Sequence, residues 1–319
     1  MRKDVAIKMK DKLLSVIMPI YNEVNIEPNF LRLVKVLDGA GIRHEVIMID
    51  DGSVNGAWDE ISDIVDKYPN VTAISFSRNF GKESAICAGL DYAEGDCVIC
   101  VDSDMQFPPE EIPNMYKLWE DGYEIVEGVK KKRQNEGTIY RICSKTFYST
   151  LKKFSGIDLK NGSDFRLLDR AAVEAWRSMP EKQTFFRGMS SWIGFKRVQY
   201  PFEVADRTEG TSKWSLGALA RLAVDAVTSY TALPLYLSAV MGMIFFFFAI
   251  VMGIQTLYMF ISGHAQNGFT TVILLLLIIG SSVMLGMSII GIYIKKIYEE
   301  AKGRPRYITR KKKTSKGKE

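Results

Sequence analysis

The stretch CVICVDSDMQFPPEEI, residues 97–112, ends an apolar run on two carboxylates, Asp102 and Asp104, one residue apart. Like charges that close raise each other's pKa unless a cation sits between them. On an extended backbone, side chains two residues apart share a side. The pair therefore suits one hard divalent cation, Mg2+ or Mn2+, with a diphosphate completing the oxygen shell. The competing reading is a solvated helix start before PPEEI, where acids favour the dipole. Asp50 and Asp51 follow a second apolar run in DDGS, which also reads as a plain turn. Arg78 and Lys82 flank Asn79 and Gly81 in SRNFGKES at a helix start. Free backbone N–H groups there suit a phosphate, although basic residues at such a start also cap nearby acids.

The remaining titratable residues assemble less. Cys97 and Cys100 form a CxxC spacing, but strand alternation sends positions three apart to opposite faces, so they read as small core residues. His44 and His264 stand alone, which leaves no histidine-based metal site or triad.

Elements must hold these acids in place. Strand-like runs occur at residues 13–20, 44–50, 71–77, 96–102 and 123–129. Stretches of helical period lie between them, including NFLRLVKVLDGAG, AWDEISDIVDKY, KESAICAGLDYAEG and PEEIPNMYKLWEDG. That alternation predicts an α/β domain with a mainly parallel sheet and helices on both faces. Ligands bind such sheets at the carboxyl ends of the strands. The loops there read PIYNEVN, DDGSVNG, SRNFGKES and SDMQFPPE, and all four carry acids.

The 319 residues carry a net charge of +5, of which residues 295–319 alone contribute +8. Ahead of that basic tail, residues 226–294 contain no Asp, Glu, Lys or Arg. Leu233–Ile261 and Thr270–Ile294 each exceed the roughly 20 apolar residues that a helix needs to cross a bilayer. A basic tail beside such spans marks a cytoplasmic membrane face better than a nucleic-acid site. Two crossings then place both termini and the N-terminal domain in the cytoplasm, at the inner (plasma) membrane. No cleavable signal peptide is evident at the charged start. Residues 137–154 and 214–230 have amphipathic spacing, expected of helices lying at a membrane surface or packed on the globular domain. The division expected is 1–213 catalytic domain, 214–231 interface helix, 232–294 two spans and 295–319 basic tail. Small residues Gly280, Ser281 and Gly286 suit self-association of the spans.

VIMPIYNE, VIMIDDGS, SRNFGKESAICAGL, VDSDMQFPPEEI, NGSDFRLLDR and RTEGTSKWSLGAL occur in this order ahead of the two spans. Together they resemble the inverting family 2 glycosyltransferases that act on polyprenyl phosphate, the dolichol-phosphate mannose synthase and bactoprenol glucosyltransferase group. The resemblance implies a GT-A nucleotide-sugar-binding domain, with Gln106 joining Asp102 and Asp104 as a metal ligand. It implies that Pro19, Tyr21, Glu23, Asp50, Asp51, Lys82, Asp102 and Ser103 line the nucleotide-sugar pocket. Asp164 matches a position where relatives keep an acid near the sugar or acceptor, acting as base or positioning group. Arg207, Ser212 and Lys213 lie in a segment suited to closing over phosphates. Arg133, in the basic loop GVKKKRQNEG, is either a further acceptor-phosphate ligand or a solvated charge. Asp164, Asp104, Arg207 and Lys213 form the expected catalytic set.

The chemistry expected is direct displacement. The departing diphosphate gains negative charge that cations stabilise. The attacking phosphate, with a second pKa near 6, is already largely ionised and needs no strong base. Inversion follows, with UDP-glucose the first choice of donor over UDP-GlcNAc, other UDP-sugars and GDP-mannose. The partners implied are the donor, polyprenyl phosphate, the bilayer, a flippase and a downstream glycosyltransferase, and not nucleic acid. Three other readings fit less well. A haloacid-dehalogenase-like phosphatase needs a Thr after Asp-x-Asp on its first strand. A processive polysaccharide synthase needs a QxxRW box, for which the chain offers only QTFFRG, residues 183–188. A silent nucleotide-sugar-binding scaffold has no need of Asp102, Asp104, Asp164, Arg207 and Lys213 together.

Overall fold

The computed structural model describes residues 12–130, 162–182, 185–203, 228, 232–262 and 268–315. Arg133, Arg207, Ser212, Lys213 and, apart from Thr228, the two amphipathic stretches lie outside these residues. The chain divides into two compact units, one of residues 1–144, 157–211 and 304–319, the other of residues 145–156 and 212–303.

The first unit is built on one sheet. Strands β1 (Leu14–Ile20), β2 (His44–Asp50), β3 (Val71–Phe76) and β4 (Cys97–Cys100) form its parallel centre. Between them run helices α1 (Ile26–Gly39), α2 (Ala57–Lys67) and α3 (Lys82–Tyr92). Helix α4 (Ile112–Glu120) follows β4 and leads to β5 (Ile125–Lys130). All seven residues of β1, LSVIMPI, are buried. Such unbroken apolar runs belong to a parallel strand covered on both faces.

Strand alternation divides the core in two. Leu14, Val16, Met18 and Ile20 face one layer, with Cys97, while Ile17 faces the other, with Cys100. The cysteine pair is thus split across the sheet. In α1 the buried residues Ile26, Phe30, Leu33 and Leu37 fall on one helical face. Each such side chain contributes roughly 1.5–3 kcal/mol by leaving water.

Three strands add to the five expected. Strand β6 (Gly162–Asp169) runs antiparallel between β4 and β5, and carries NGSDFRLLDR into the sheet. Helices α5 (Arg170–Arg177) and α6 (Phe186–Trp192) follow, and β7 (Arg197–Phe202) pairs parallel to β5. Strand β8 (Thr309–Thr314) pairs antiparallel with β3, giving the order β7-β5-β6-β4-β1-β2-β3-β8.

Strand β8 revises the reading of residues 295–319 as a tail. Lys313 reaches Asp66 at 2.5 Å, while Lys311 and Lys312 lie over the rings of Trp58 and Tyr92. The apolar stems cover aromatic surface while the charges discourage pairing at the sheet edge. Just before the strand, Tyr307 stacks on Phe76 at 5.0 Å and its hydroxyl donates to Asp91 at 2.8 Å. Tyr307→Ala removes the ring contact and leaves Asp91 without this donor. It is expected to cost about 2 kcal/mol in denaturant unfolding of the full-length protein in detergent. A cost below about 0.5 kcal/mol would show that this segment does not hold the sheet edge.

The second unit contains α7 (Leu233–Ile261) and α8 (Phe269–Ala301), which pack on each other. Within Pro234–Ile261 and Leu275–Ala301, 18-residue stretches reach mean hydropathies of 2.5 and 2.3, and both helices are long and apolar enough to cross a membrane. Helix α8 continues seven residues past the expected end of the span at Ile294, taking in Lys295, Lys296, Glu299 and Glu300.

Candidate active site

The carboxyl ends of β1, β2, β3 and β4 point the same way because these strands are parallel. Their loops therefore meet. Asn22 donates its N–H to Ser53 Oγ at 2.9 Å, and its side-chain oxygen accepts from Val54 N at 2.9 Å. Asp50 is buried, accepting from Ser53 N at 2.9 Å and Ser75 Oγ at 2.7 Å. Asp51 accepts from the amides of Phe80 and Gly81 at 2.7 and 2.8 Å, anchoring the loop that leads into α3. Both carboxylates are engaged within the protein. Pro19 is buried inside β1, behind the loop, whereas Tyr21 is half exposed. Glu23 receives a long 3.4 Å hydrogen bond from Ser103 Oγ.

After β4 the chain reverses over Asp102–Met105, with Met105 N donating to Asp102 O at 3.1 Å. Met105 has φ +52° and a buried side chain, an uncommon backbone for a non-glycine residue. This turn sets Gln106 against Asp104. The Gln106 amide side chain donates to Asp104 Oδ2 at 2.7 Å, and its N–H donates to Oδ1 at 3.1 Å.

Lys82, the first residue of α3, joins two carboxylates from distant parts of the chain. Its Nζ donates to Asp102 Oδ2 at 2.9 Å and to Asp164 Oδ2 at 2.8 Å. Asp102 Oδ1 is also 2.7 Å from Nζ, yet it is buried and makes no hydrogen bond. Asp164 comes from β6 and receives a two-pronged contact from Arg187 of α6. Nε donates to Oδ1 at 2.7 Å and Nη2 to Oδ2 at 3.1 Å. Lys82 still leaves 41% of its side-chain surface open, enough to reach a ligand.

The charges shift accordingly. Burial favours a protonated Asp164, but the hydrogen bonds and charge of Arg187, then Lys82, outweigh it and hold the carboxyl well below the usual range. Burial likewise disfavours the Lys82 ammonium, and Asp102 and Asp164 reverse that effect, raising its pKa. Asp102 moves upward because burial exceeds the opposing pull of Lys82. Glu83, next along α3, is pushed up to about 7 by burial and by the Asp164 charge, while accepting from Phe186 N at 2.7 Å.

Among the described residues no three His, Cys, Asp or Glu side chains converge as a metal cluster. The donor set of Asp102, Asp104 and Gln106 consists of hard oxygens, with Asp102 Oδ1 buried and facing the Lys82 ammonium at 2.7 Å without a directed hydrogen bond. That set fits Mg2+ or Mn2+ when an anionic ligand supplies the remaining oxygens.

The structure joins Asp102 and Asp164 through Lys82, and it pairs Gln106 with Asp104, whose charge acts on Asp102. Arg187 and Glu83 belong to this site and were not singled out by sequence reasoning. In the sequence Arg187 stands only within QTFFRG, an imperfect QxxRW box. The available signal was its position as the one charged residue in FFRGMSSW, residues 185–192.

Residues 15–175 match the family model described as glycosyl transferase family 2. An uncharacterized glycosyltransferase of Synechocystis sp. is 33% identical over 301 residues, covering 92% of this chain and 94% of that protein. The bactoprenol glucosyl transferase of Shigella phage SfII is also 33% identical, over 93% of this chain and 97% of its own. Glucosyl-3-phosphoglycerate synthase from Mycobacterium tuberculosis, solved with Mn2+, UDP-glucose and phosphoglyceric acid, has the same GT-A fold. It superposes with a TM-score of 0.52 at 17% identity, covering 72% of this chain and 83% of that one. Both the matched region and the near-complete alignment with these relatives make the chain a glycosyltransferase, a member of glycosyl transferase family 2.

Proposed function

We propose that the protein transfers a sugar, with inversion, from a nucleoside diphosphate donor to a polyprenyl phosphate such as undecaprenyl phosphate. UDP-glucose is the favoured donor. The observation that carries this reading is Lys82, whose ammonium joins Asp102, beside the expected diphosphate site, to Asp164 on β6. Donor-side and acceptor-side groups thereby share one cation. The bactoprenol glucosyl transferase relative supports the lipid acceptor, as do two helices long and apolar enough to span a bilayer.

Asp102, Asp104 and Gln106 would hold a divalent cation, which supplies positive charge against the leaving diphosphate when bound. Mn2+ bound with UDP-glucose in the solved glucosyl-3-phosphoglycerate synthase agrees with that choice without separating it from Mg2+. Lys82 adds a permanent charge at the same place, and its exposed surface lets it turn toward a phosphate. The lipid phosphate attacks as an anion already ionised at neutral pH. Arg133, Arg207, Ser212 and Lys213 are assigned to that phosphate. Pro19, Tyr21, Glu23, Asp50, Asp51 and Ser103 are assigned to shaping the donor pocket. Both termini and the catalytic domain are placed on the cytoplasmic side, with the basic residues following the second span.

The test is a panel of radiolabelled nucleotide sugars, incubated with undecaprenyl phosphate and the full-length protein in membranes. UDP-glucose is expected to label the organic-phase lipid, EDTA to stop the reaction, and Mg2+ or Mn2+ to restore it. No lipid label from any donor would overturn the function. Label undiminished by EDTA would overturn the cation's role.

A further inference from the structure

Asp164 exposes only 6% of its side chain, and each of its oxygens receives a charged donor. The titratable and charged groups facing it are Lys82 and Glu83 from α3, Cys100 and Asp102 from β4 and its loop, Arg166 from β6, and Arg187 from α6. Among the described residues Arg187 alone grips both oxygens. Its own placement is enforced from behind. Arg166 is fully buried and pairs with Glu127 of β5 at 3.2 Å. The same guanidinium donates to Arg187 O at 3.1 Å and to Ser190 Oγ at 2.5 Å. Strand β6 therefore holds the start of α6 twice, through the Arg187 side chain at Asp164 and through its carbonyl at Arg166.

From this geometry we infer that Arg187 is a positioning residue of the transfer reaction, fixing the orientation and charge of Asp164 within the site. The inference rests on the glycosyl-transfer reading above. With two strong donors on its oxygens, Asp164 acts as an oriented anion rather than as an acceptor of the attacking group's proton. A bidentate arginine supplies that orientation better than a lysine, because its fork matches the carboxylate plane.

The experiment is a double-mutant cycle on the full-length protein in membranes, with Arg187→Ala, Arg187→Lys, Asp164→Asn and the double variant R187A/D164N. R187A is expected to lower kcat about 10–100-fold, with KM for the donor changed less than about 3-fold. R187K is expected to recover at least about a fifth of the wild-type kcat, because it keeps one charged bond to Asp164. The double variant is expected to be no slower than D164N, because the lost group acts only through the other. If D164N turns over too slowly to measure, the cycle is read on unfolding midpoints, where R187A should shift the wild type more than it shifts D164N. Losses that multiply, midpoint shifts that add, or an R187A kcat above half of wild type would each overturn the inference. A wild type with no transfer at all overturns the glycosyl-transfer reading instead.

Discussion

Asp102→Asn is expected to lower sugar transfer by on the order of 10³-fold while leaving the protein folded. Asparagine keeps the shape of the side chain but removes the charge and turns one oxygen into an N–H donor. That donor would face either the Lys82 ammonium or the cation site, both of which need an oxygen. Lys82 would then lean on Asp164 alone, so a single neutral substitution loosens both sides of the cluster. Stability should move little and can rise. Burial already pushes the Asp102 carboxyl upward, meaning that its charged form is costly to enclose, and asparagine relieves that cost. Losing the Lys82 contact works in the opposite direction. A net change within about 1 kcal/mol is expected, the pattern of a residue retained for activity at some expense in stability. Initial rates of lipid-linked sugar formation at saturating Mg2+ or Mn2+, with a thermal melt of the same preparation, check both halves. A variant keeping more than about a tenth of wild-type turnover would remove Asp102 from the cation site.

The parallel half of the sheet was legible because its signals are local. LSVIMPI, HEVIMID, VTAISF and CVIC are short apolar runs spaced by helical periods, and each appears as a strand within a few residues of its expected bounds. The loops at their carboxyl ends follow from topology, which is why the sequence alone sets Asp102, Asp104 and Lys82 at one end of the sheet. Asp164 was reachable only through resemblance. Its strand joins the sheet antiparallel, between β4 and β5, and no periodicity in NGSDFRLLDR specifies those neighbours. Strand β8 was hidden more thoroughly. TRKKKT reads as a solvated run, because the aromatic rings and acids that accept its lysines come from α2 and α3, more than 200 residues earlier. Arg187 was missed for a related reason: one arginine among apolar residues says that a partner exists but not which carboxylate it is.

Gly52→Ala is expected to destabilise the protein by about 2–4 kcal/mol and to lower transfer at the same time, unlike the same change at Gly56. Gly52 closes the DDGS turn with φ +71°, where a Cβ is strained. An added Cβ would also lie 2.4 Å from Arg78 C, 2.7 Å from Asn79 N and 2.8 Å from Arg78 O. These are backbone atoms, so no side chain can swing aside, and the peptide between Arg78 and Asn79 has to retreat. That peptide begins the loop whose Phe80 and Gly81 amides bind Asp51 and whose next residue is Lys82. A shift there stretches the Asp51 hydrogen bonds and draws the lysine from Asp102 and Asp164. Gly56 supplies the comparison. It has φ +84°, yet nothing lies within 4 Å of its added Cβ. Gly56→Ala should therefore show the backbone strain alone, about 1 kcal/mol, with turnover near wild type. Denaturant unfolding and transfer rates measured on both variants separate strain from collision. Equal losses at the two glycines would mean that contact between the DDGS turn and the Arg78 loop does not set the position of Lys82.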